Sequence, residues 1–144
     1  MGDDFNLDRF VEAQDQVYAT VLEELKAGEK LSHWMWFVFP QIRGLGGSPM
    51  AEKFAISSLD EAKAYWAHPI LGSRLEECTR LVLAVEGKSI GDILGYPDYL
   101  KFRSCMTLSA ECARGSTLIF FECLVKYFDG EPDPLTLGML VESG

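Results

Sequence analysis

Residues 116–128, STLIFFECLVKYF, decide which fold class the sequence predicts. The stretch is apolar nearly all round, which is typical either of the central helix of a bundle or of a fully buried strand. It is longer than most strands, and the segments on both sides have helical patterns, so we predict a helix. An all-α fold follows from this choice.

Helical periodicity continues through the rest of the chain. Over residues 7–25, apolar side chains recur at three- and four-residue steps, with Asn6 placed to cap the segment and Gly28 placed to end it. Further helices are predicted over residues 32–39, after 48–49, over 58–67, 70–86, 90–94 and 98–113, and from 133–134 onward, with Ser58 and Asp133 placed to cap two of them. We therefore predict one compact all-α domain over residues 1–144, a bundle of seven or eight helices. A short β-hairpin near residues 54–57 is the alternative prediction for that segment.

The composition is that of an acidic chain that folds. Hydrophobic residues make up 48% and charged residues 24% of its 144 residues, as in soluble globular proteins. The formal net charge of −9 would repel a phosphate backbone, so we expect no nucleic-acid partner. The longest apolar run is far shorter than the roughly 20 residues of a membrane span, and the acidic start MGDDFNLDRF is unlike a signal peptide. We expect a cytoplasmic protein with no membrane partner and leave its oligomeric state open.

A second stretch, SHWMWFVFPQIRGLGGS at residues 32–48, holds most of the candidate ligand-binding residues. Aromatic rings here could hold a planar group, and an arginine and backbone amides of the glycine loop could hold an anion. The candidates are His33, Trp34, Trp36, Gln41, Arg43, Gly46 and Ser48. The alternative is that the aromatic residues belong to the core and that the glycines only permit a turn.

The segment DYLKFRSCMTLSA, residues 98–110, could supply a second wall of the same site. Asp98 and Lys101 are three residues apart and can pair on one helix face, and Arg103 and Ser104 add polar groups beside an apolar stripe. The alternative is an ordinary solvated helix face.

The sequence lacks the motifs of common enzyme classes. It has neither the GxSxG nor the HExxH motif, and GLGG is not a dinucleotide-binding fingerprint. The cysteines have no zinc-site spacing and are interpreted as small core residues. His68, before a proline at a helix end, is interpreted as an imidazolium that interacts with the helix dipole. No catalytic residue, metal site or cofactor is therefore assigned.

Two segments carry a resemblance to a known family. HWMWFVFPQIRGLGGSPMAEKFAISSLDEAKAYWAHPILGSRLEEC, residues 33–78, and DYLKFRSCMTL, residues 98–108, closely resemble the bacterial domain-of-unknown-function family eighteen-ten, which includes a mycobacterial conserved hypothetical protein. The resemblance extends from about Phe10 to Leu137 and implies a mostly helical single domain without an established activity. Ser109 stands where the family has phenylalanine. Some members carry the label calpastatin, a type of disordered inhibitor, whereas this chain is apolar and periodic enough to fold.

Three functions are compatible with these residues. The first is a binding module that recognises a small anionic or aromatic ligand, or a partner protein, through residues 33–48. The alternative is an enzyme that hydrolyses a nucleotide-like substrate, of the N-glycosidic or ADP-ribose type, with Arg43 and an acid such as Asp98 or Glu61. The third is a structural partner subunit. A pocket that unites His33, Arg43 and Lys101 would favour a ligand or a reaction.

Overall fold

A computed structural model describes residues 4–143, and within them the chain forms ten α-helices. The helices are α1 (Asp8–Asp15), α2 (Tyr18–Ala27), α3 (Met35–Val38), α4 (Pro49–Lys53), α5 (Leu59–Ala67), α6 (Leu71–Ala84), α7 (Ile90–Leu94), α8 (Asp98–Cys112), α9 (Ile119–Phe128) and α10 (Pro134–Ser143). The described residues contain no β-strand, which confirms the all-α prediction. None of these helices is both long and apolar enough to cross a bilayer.

The number of helices exceeds the predicted seven or eight. The first predicted helix is two helices, since the backbone at Val17 leaves helical geometry (φ −132°, ψ 1°) between α1 and α2. The stripe of apolar residues continues across this break, so periodicity alone does not reveal it. The short helices α3, α4 and α7, with four or five residues each, lie in segments that the sequence predicts to be helical.

Some helix ends follow the predicted local chemistry, whereas Asn6 does not cap α1, whose N-cap is Leu7 and which has no side-chain cap. Ser58 Oγ accepts a hydrogen bond from the Glu61 amide at 3.2 Å and so caps α5. Gly28 ends α2 in the left-handed conformation (φ 71°). His68 ends α5, as predicted, but its predicted role as an imidazolium was wrong, because its Nδ1 accepts hydrogen bonds from the amides of Ile70 and Leu71 at 3.1 and 3.2 Å. His68 therefore caps the start of α6 as an acceptor, whereas an imidazolium would be a donor at both nitrogens.

Within the 116–128 stretch, Ile119–Phe128 forms a helix, α9, that packs against α6 and α8. Phe120 and Cys123 on its inner side are buried in the core. Its outer side is exposed, however, with Phe121 and Val125 each 51% accessible. The helix is therefore not surrounded by other helices, although its sequence is apolar on nearly every side.

Near residues 54–57, where a hairpin was the alternative, the structure has one parallel β-bridge, between Ile42 and Ile56. The Arg43 amide donates to the Ile56 carbonyl, and the Ile56 amide donates to the Gln41 carbonyl, both at 2.8 Å. This bridge fixes the loop that follows α3 against the segment that follows α4. Gln41 is thereby held at a defined position on the surface.

Candidate functional site

Trp34 lies in the core and is held there by a buried carboxylate. Its ring is 1% exposed, and its indole N–H donates to Glu24 Oε1 at 2.9 Å. Glu24 also accepts hydrogen bonds from the Leu31 and Ser32 amides, at 2.9 and 3.1 Å, and from the Ser32 hydroxyl. Burial raises the pKa of Glu24, but the hydrogen bonds from Ser32, Leu31 and Trp34 outweigh it and lower the pKa from 4.5 to about 2. The residues before α3 are therefore fixed to α2.

Asp98, at the start of α8, lies between two lysines. Its Oδ2 is 2.8 Å from Lys30 Nζ, and its Oδ1 is 3.6 Å from Lys101 Nζ. Lys30 also donates to the Ser32 carbonyl at 2.6 Å and lies over the Trp34 ring. The carboxylate of Asp98 thus positions Lys101 relative to the segment that contains the tryptophans.

Lys101 lies where two surface hollows meet. Its Nζ is 5.3 Å from the centre of the Trp36 ring, a cation–π distance, and its side chain is 25% exposed. A smaller hollow contains Trp36, Gln41 and Gly46 together with Lys101. The larger hollow, with a volume of about 330 Å³, is called the Lys101 groove here. Its lining residues are Gln41, Leu45, Gly46, Pro97, Leu100, Lys101, Arg103, Ser104, Asp133 and Leu135.

The structure brings some of the candidate residues together and separates others. Those that line the two hollows are Trp36, Gln41, Gly46, Lys101, Arg103 and Ser104, with Asp98 behind Lys101. His33 and Arg43 are exposed and line neither hollow. Ser48 Oγ accepts from the Ala51 amide at 3.1 Å and caps α4. A pocket that unites His33, Arg43 and Lys101 would have favoured a ligand or a reaction, and these three residues do not share either hollow.

Two further residues of the groove come from the start of α10. Asp133 accepts hydrogen bonds from Ser104 Oγ at 3.0 Å and from Thr136 Oγ1 at 2.6 Å. Leu135 is 65% exposed and adds an apolar wall. The sequence indicated Asp133 only as a helix cap. Asp133 and Ser104 are far apart in the chain, so no local sequence pattern predicts the hydrogen bond between them.

The charge along the Lys101 groove differs from that of the whole chain. Lys101 and Arg103 line it together with one carboxylate, that of Asp133, whereas the chain as a whole has a net charge of −9. Arg103 donates to the carbonyls of Glu131 and Pro132, both at 3.0 Å, and so fixes the segment before α10. Lys101 is therefore the cation best placed to meet an anion in the groove.

The acids considered for catalysis are both paired. Glu61 is 2% exposed, lies 2.9 Å from Arg9 Nη2 and accepts hydrogen bonds from the Ser57 amide and hydroxyl. Asp98 is shared by two lysines, as described above. Among the side chains that the structure describes, residues 4–141, no set of His, Cys, Asp and Glu is arranged to hold a metal ion. Nothing in this geometry favours the enzyme alternative.

The cysteines lie mostly in the core. Cys78, Cys105 and Cys123 are buried, Cys112 is half-buried, and all four are free thiols. Burial raises the pKa of each thiol to about 12, so the thiolate is scarce near neutral pH. These side chains behave as small apolar residues of the core.

Comparisons with known proteins point to one group of relatives. Residues 4–140 match the family model described as a protein of unknown function (DUF1810). The chain is also similar to the crystal structure of the conserved hypothetical protein Rv1873 from Mycobacterium tuberculosis, with 53% sequence identity and a TM-score of 0.94. The match covers 96% of this chain and 99% of that one. No curated protein matches the chain.

Proposed function

Because the chain belongs to the DUF1810 family, whose description assigns no activity, we propose a function from the site itself. The protein is a binding module whose Lys101 groove takes a small anionic ligand with an aromatic or apolar part. The observation that carries this proposal is the position of the Lys101 ammonium group, where an aromatic hollow and a groove of about 330 Å³ meet.

The lining of the groove supports this class of ligand. Lys101 offers a positive charge that Asp98 and the Trp36 ring hold in place. The side-chain amide of Gln41 forms no hydrogen bond with the described residues, so its donors and acceptor are available to a ligand. Leu45 and Leu100 supply apolar surface beside these groups. Apolar walls with a few convergent polar groups are typical of small-molecule sites.

The experiment is a binding screen with a charge-removal variant. Purified protein is tested by thermal shift and tryptophan fluorescence against aromatic carboxylates, nucleoside monophosphates, ADP-ribose, inorganic phosphate and an uncharged aromatic analogue. A compound at about one hundred times its Kd should stabilise the protein by roughly 2.7 kcal/mol. Lys101→Met should weaken binding of the best anion about tenfold or more, because a hydrogen bond to a charged group is lost. Asp98 keeps its ion pair with Lys30 in this variant, so the fold should persist.

Lys26→Met is the matched control, since Lys26 is an exposed lysine on α2 that lies outside the groove. It removes the same charge and should leave the affinity unchanged. If both lysine variants weaken binding equally, the ligand is held by the overall charge of the protein and not by a specific site at Lys101. If no compound binds, or if Lys101→Met binds as well as the unchanged protein, the proposal is wrong.

A further inference from the structure

A second groove, separate from the Lys101 groove, lies beside the exposed side of α9. It has a volume of about 350 Å³ and lies between the end of α8, α9 and residues 130–137, with Thr107, Ala110 and Leu124 among its lining. Leu118 and Phe121 line it as well, and Val125 continues their row along α9. We call the row of Leu118, Phe121 and Val125 the α9 face.

The side chains of the α9 face are apolar but do not belong to the buried hydrophobic core. Leu118 is 71% exposed, and Phe121 and Val125 are each 51% exposed. The opposite side of α9 already fills the core with Ile119, Phe120 and Cys123. A cluster of large apolar side chains that stays exposed beside a groove is typical of an interaction surface.

Acidic residues lie beside this face in the chain and in the groove. Glu111 lines the groove, Glu122 follows Phe121 on α9, Asp129 follows the last residue of α9, and Glu131 lies between two lining residues and is 3.8 Å from Arg103. Arg114 also borders the groove, but it is paired with Glu111 at 2.8 Å. Lys126 donates to the carbonyls of Leu83 and Val85, both at 2.6 Å, and so reaches the end of α6. Glu122 and Asp129 form no ion pair within the described residues.

From this pattern we propose that the α9 face and its groove bind a cationic amphipathic helix of a partner protein. Leu118 and Val125 are seven residues apart, about 10 Å along a helix, which matches two turns of a partner with apolar residues at i, i+4 and i+7. Lysines or arginines beside those residues would meet Glu122 and Asp129. A second copy of the chain fits less well, because two chains of net charge −9 would bring the same acids together.

The test uses fluorescently labelled synthetic peptides of about 15 residues, a length at which an isolated helix is marginally stable. The first peptide is an amphipathic helix with a leucine stripe and flanking lysines, the second has glutamate for each lysine, and the third has alanine for each leucine. Anisotropy with the full chain should show binding of the first peptide alone. Phe121→Ser and Glu122→Lys should each weaken that binding about fivefold or more.

Leu31→Ser is the matched control, because Leu31 is 72% exposed and lies outside the α9 face. It should bind the first peptide as the unchanged protein does. All variants alter exposed side chains, so circular dichroism should report the same fold for each. The proposal is overturned if the alanine peptide binds equally well, if Phe121→Ser has no effect, or if no peptide binds. It is also overturned if sedimentation shows a dimer of this chain that Phe121→Ser dissociates.

Discussion

Two tryptophans two residues apart have opposite environments. Trp34 is buried and donates its indole N–H to Glu24, whereas Trp36 is half-buried beside Lys101. Their sequence context is nearly the same, so the difference arises from the partners that each ring meets. The hydrogen bond to Glu24 fixes Trp34 in the core, whereas Trp36 lies against the Lys101 ammonium group in a surface hollow. Of the two aromatic candidates, only Trp36 is accessible to a ligand.

The carboxylate of Glu24 should make stability depend on pH in the acid range. Its folded pKa of about 2 lies below the usual 4.5, so its contribution is present above pH 4.5 and is lost as the pH falls towards 2. Glu24→Gln should therefore lower the free energy of unfolding by about 2 kcal/mol near neutral pH, since hydrogen bonds to a charged acceptor are lost. The difference from the unchanged protein should shrink below pH 4.5. Urea unfolding at a series of pH values measures it.

Glu23→Gln, at an exposed neighbouring position, is the control for loss of a charge. It should leave the free energy of unfolding and its pH dependence nearly unchanged. The free energies of unfolding of Glu24→Gln and of the unchanged protein are compared at each pH. If their difference stays constant down to the lowest pH, the role given to the Glu24 carboxylate is contradicted.

At the scale of elements, the junction of α5 and α6 shows how closely two helices can be joined. α5 ends before Pro69, and α6 begins under the cap of His68. Gly72, in the first turn of α6, faces the backbone of α5 so closely that a Cβ atom there would lie 2.1 Å from the Trp66 carbonyl oxygen. Glycine is required here by the approach of one backbone to another.

Gly72→Ala should therefore destabilise the protein by roughly 3 kcal/mol, because the backbone of α5 must move to admit the methyl group. Gly91→Ala in α7 is the matched control, since its Cβ would have Ser89 Oγ, at 3.7 Å, as its nearest neighbour. That variant should be neutral or stabilising by about 0.5 kcal/mol. Thermal unfolding followed by circular dichroism measures both, and equal effects at the two sites would refute this account of the junction.

At the scale of the whole molecule, one connected core joins elements from both halves of the chain. It includes Phe10 of α1, Trp34, Leu71 of α6, Phe102 of α8 and Phe120 of α9. Edge-to-face ring contacts link distant segments, as between Phe39 and Phe102 at 5.0 Å. A core that involves so many elements leaves no evident boundary at which part of the chain could unfold alone.

The single domain expected over residues 1–144 remains a prediction, and unfolding tests it. Heating should give one cooperative transition, with the same midpoint by tryptophan fluorescence and by far-ultraviolet circular dichroism. The tryptophans report on packing and the circular dichroism on all helices, so the two probes should agree only if the core and the helices are lost together. Two separated transitions would show that the chain contains more than one folding unit.

The sequence by itself determined the helical class, most helix positions and the family. Helices depend on hydrogen bonds between residues close in the chain, and caps such as Ser58 and Gly28 act on their own helix, so local patterns reveal them. Only the tertiary structure decided which candidates meet. Gln41, Lys101 and Asp133 line one groove because the loop after α3, helix α8 and the residue before α10 meet there. The outer side of α9 is exposed because no other described helix covers it. Such contacts join residues far apart in the chain, and each depends on the packing of several helices at once.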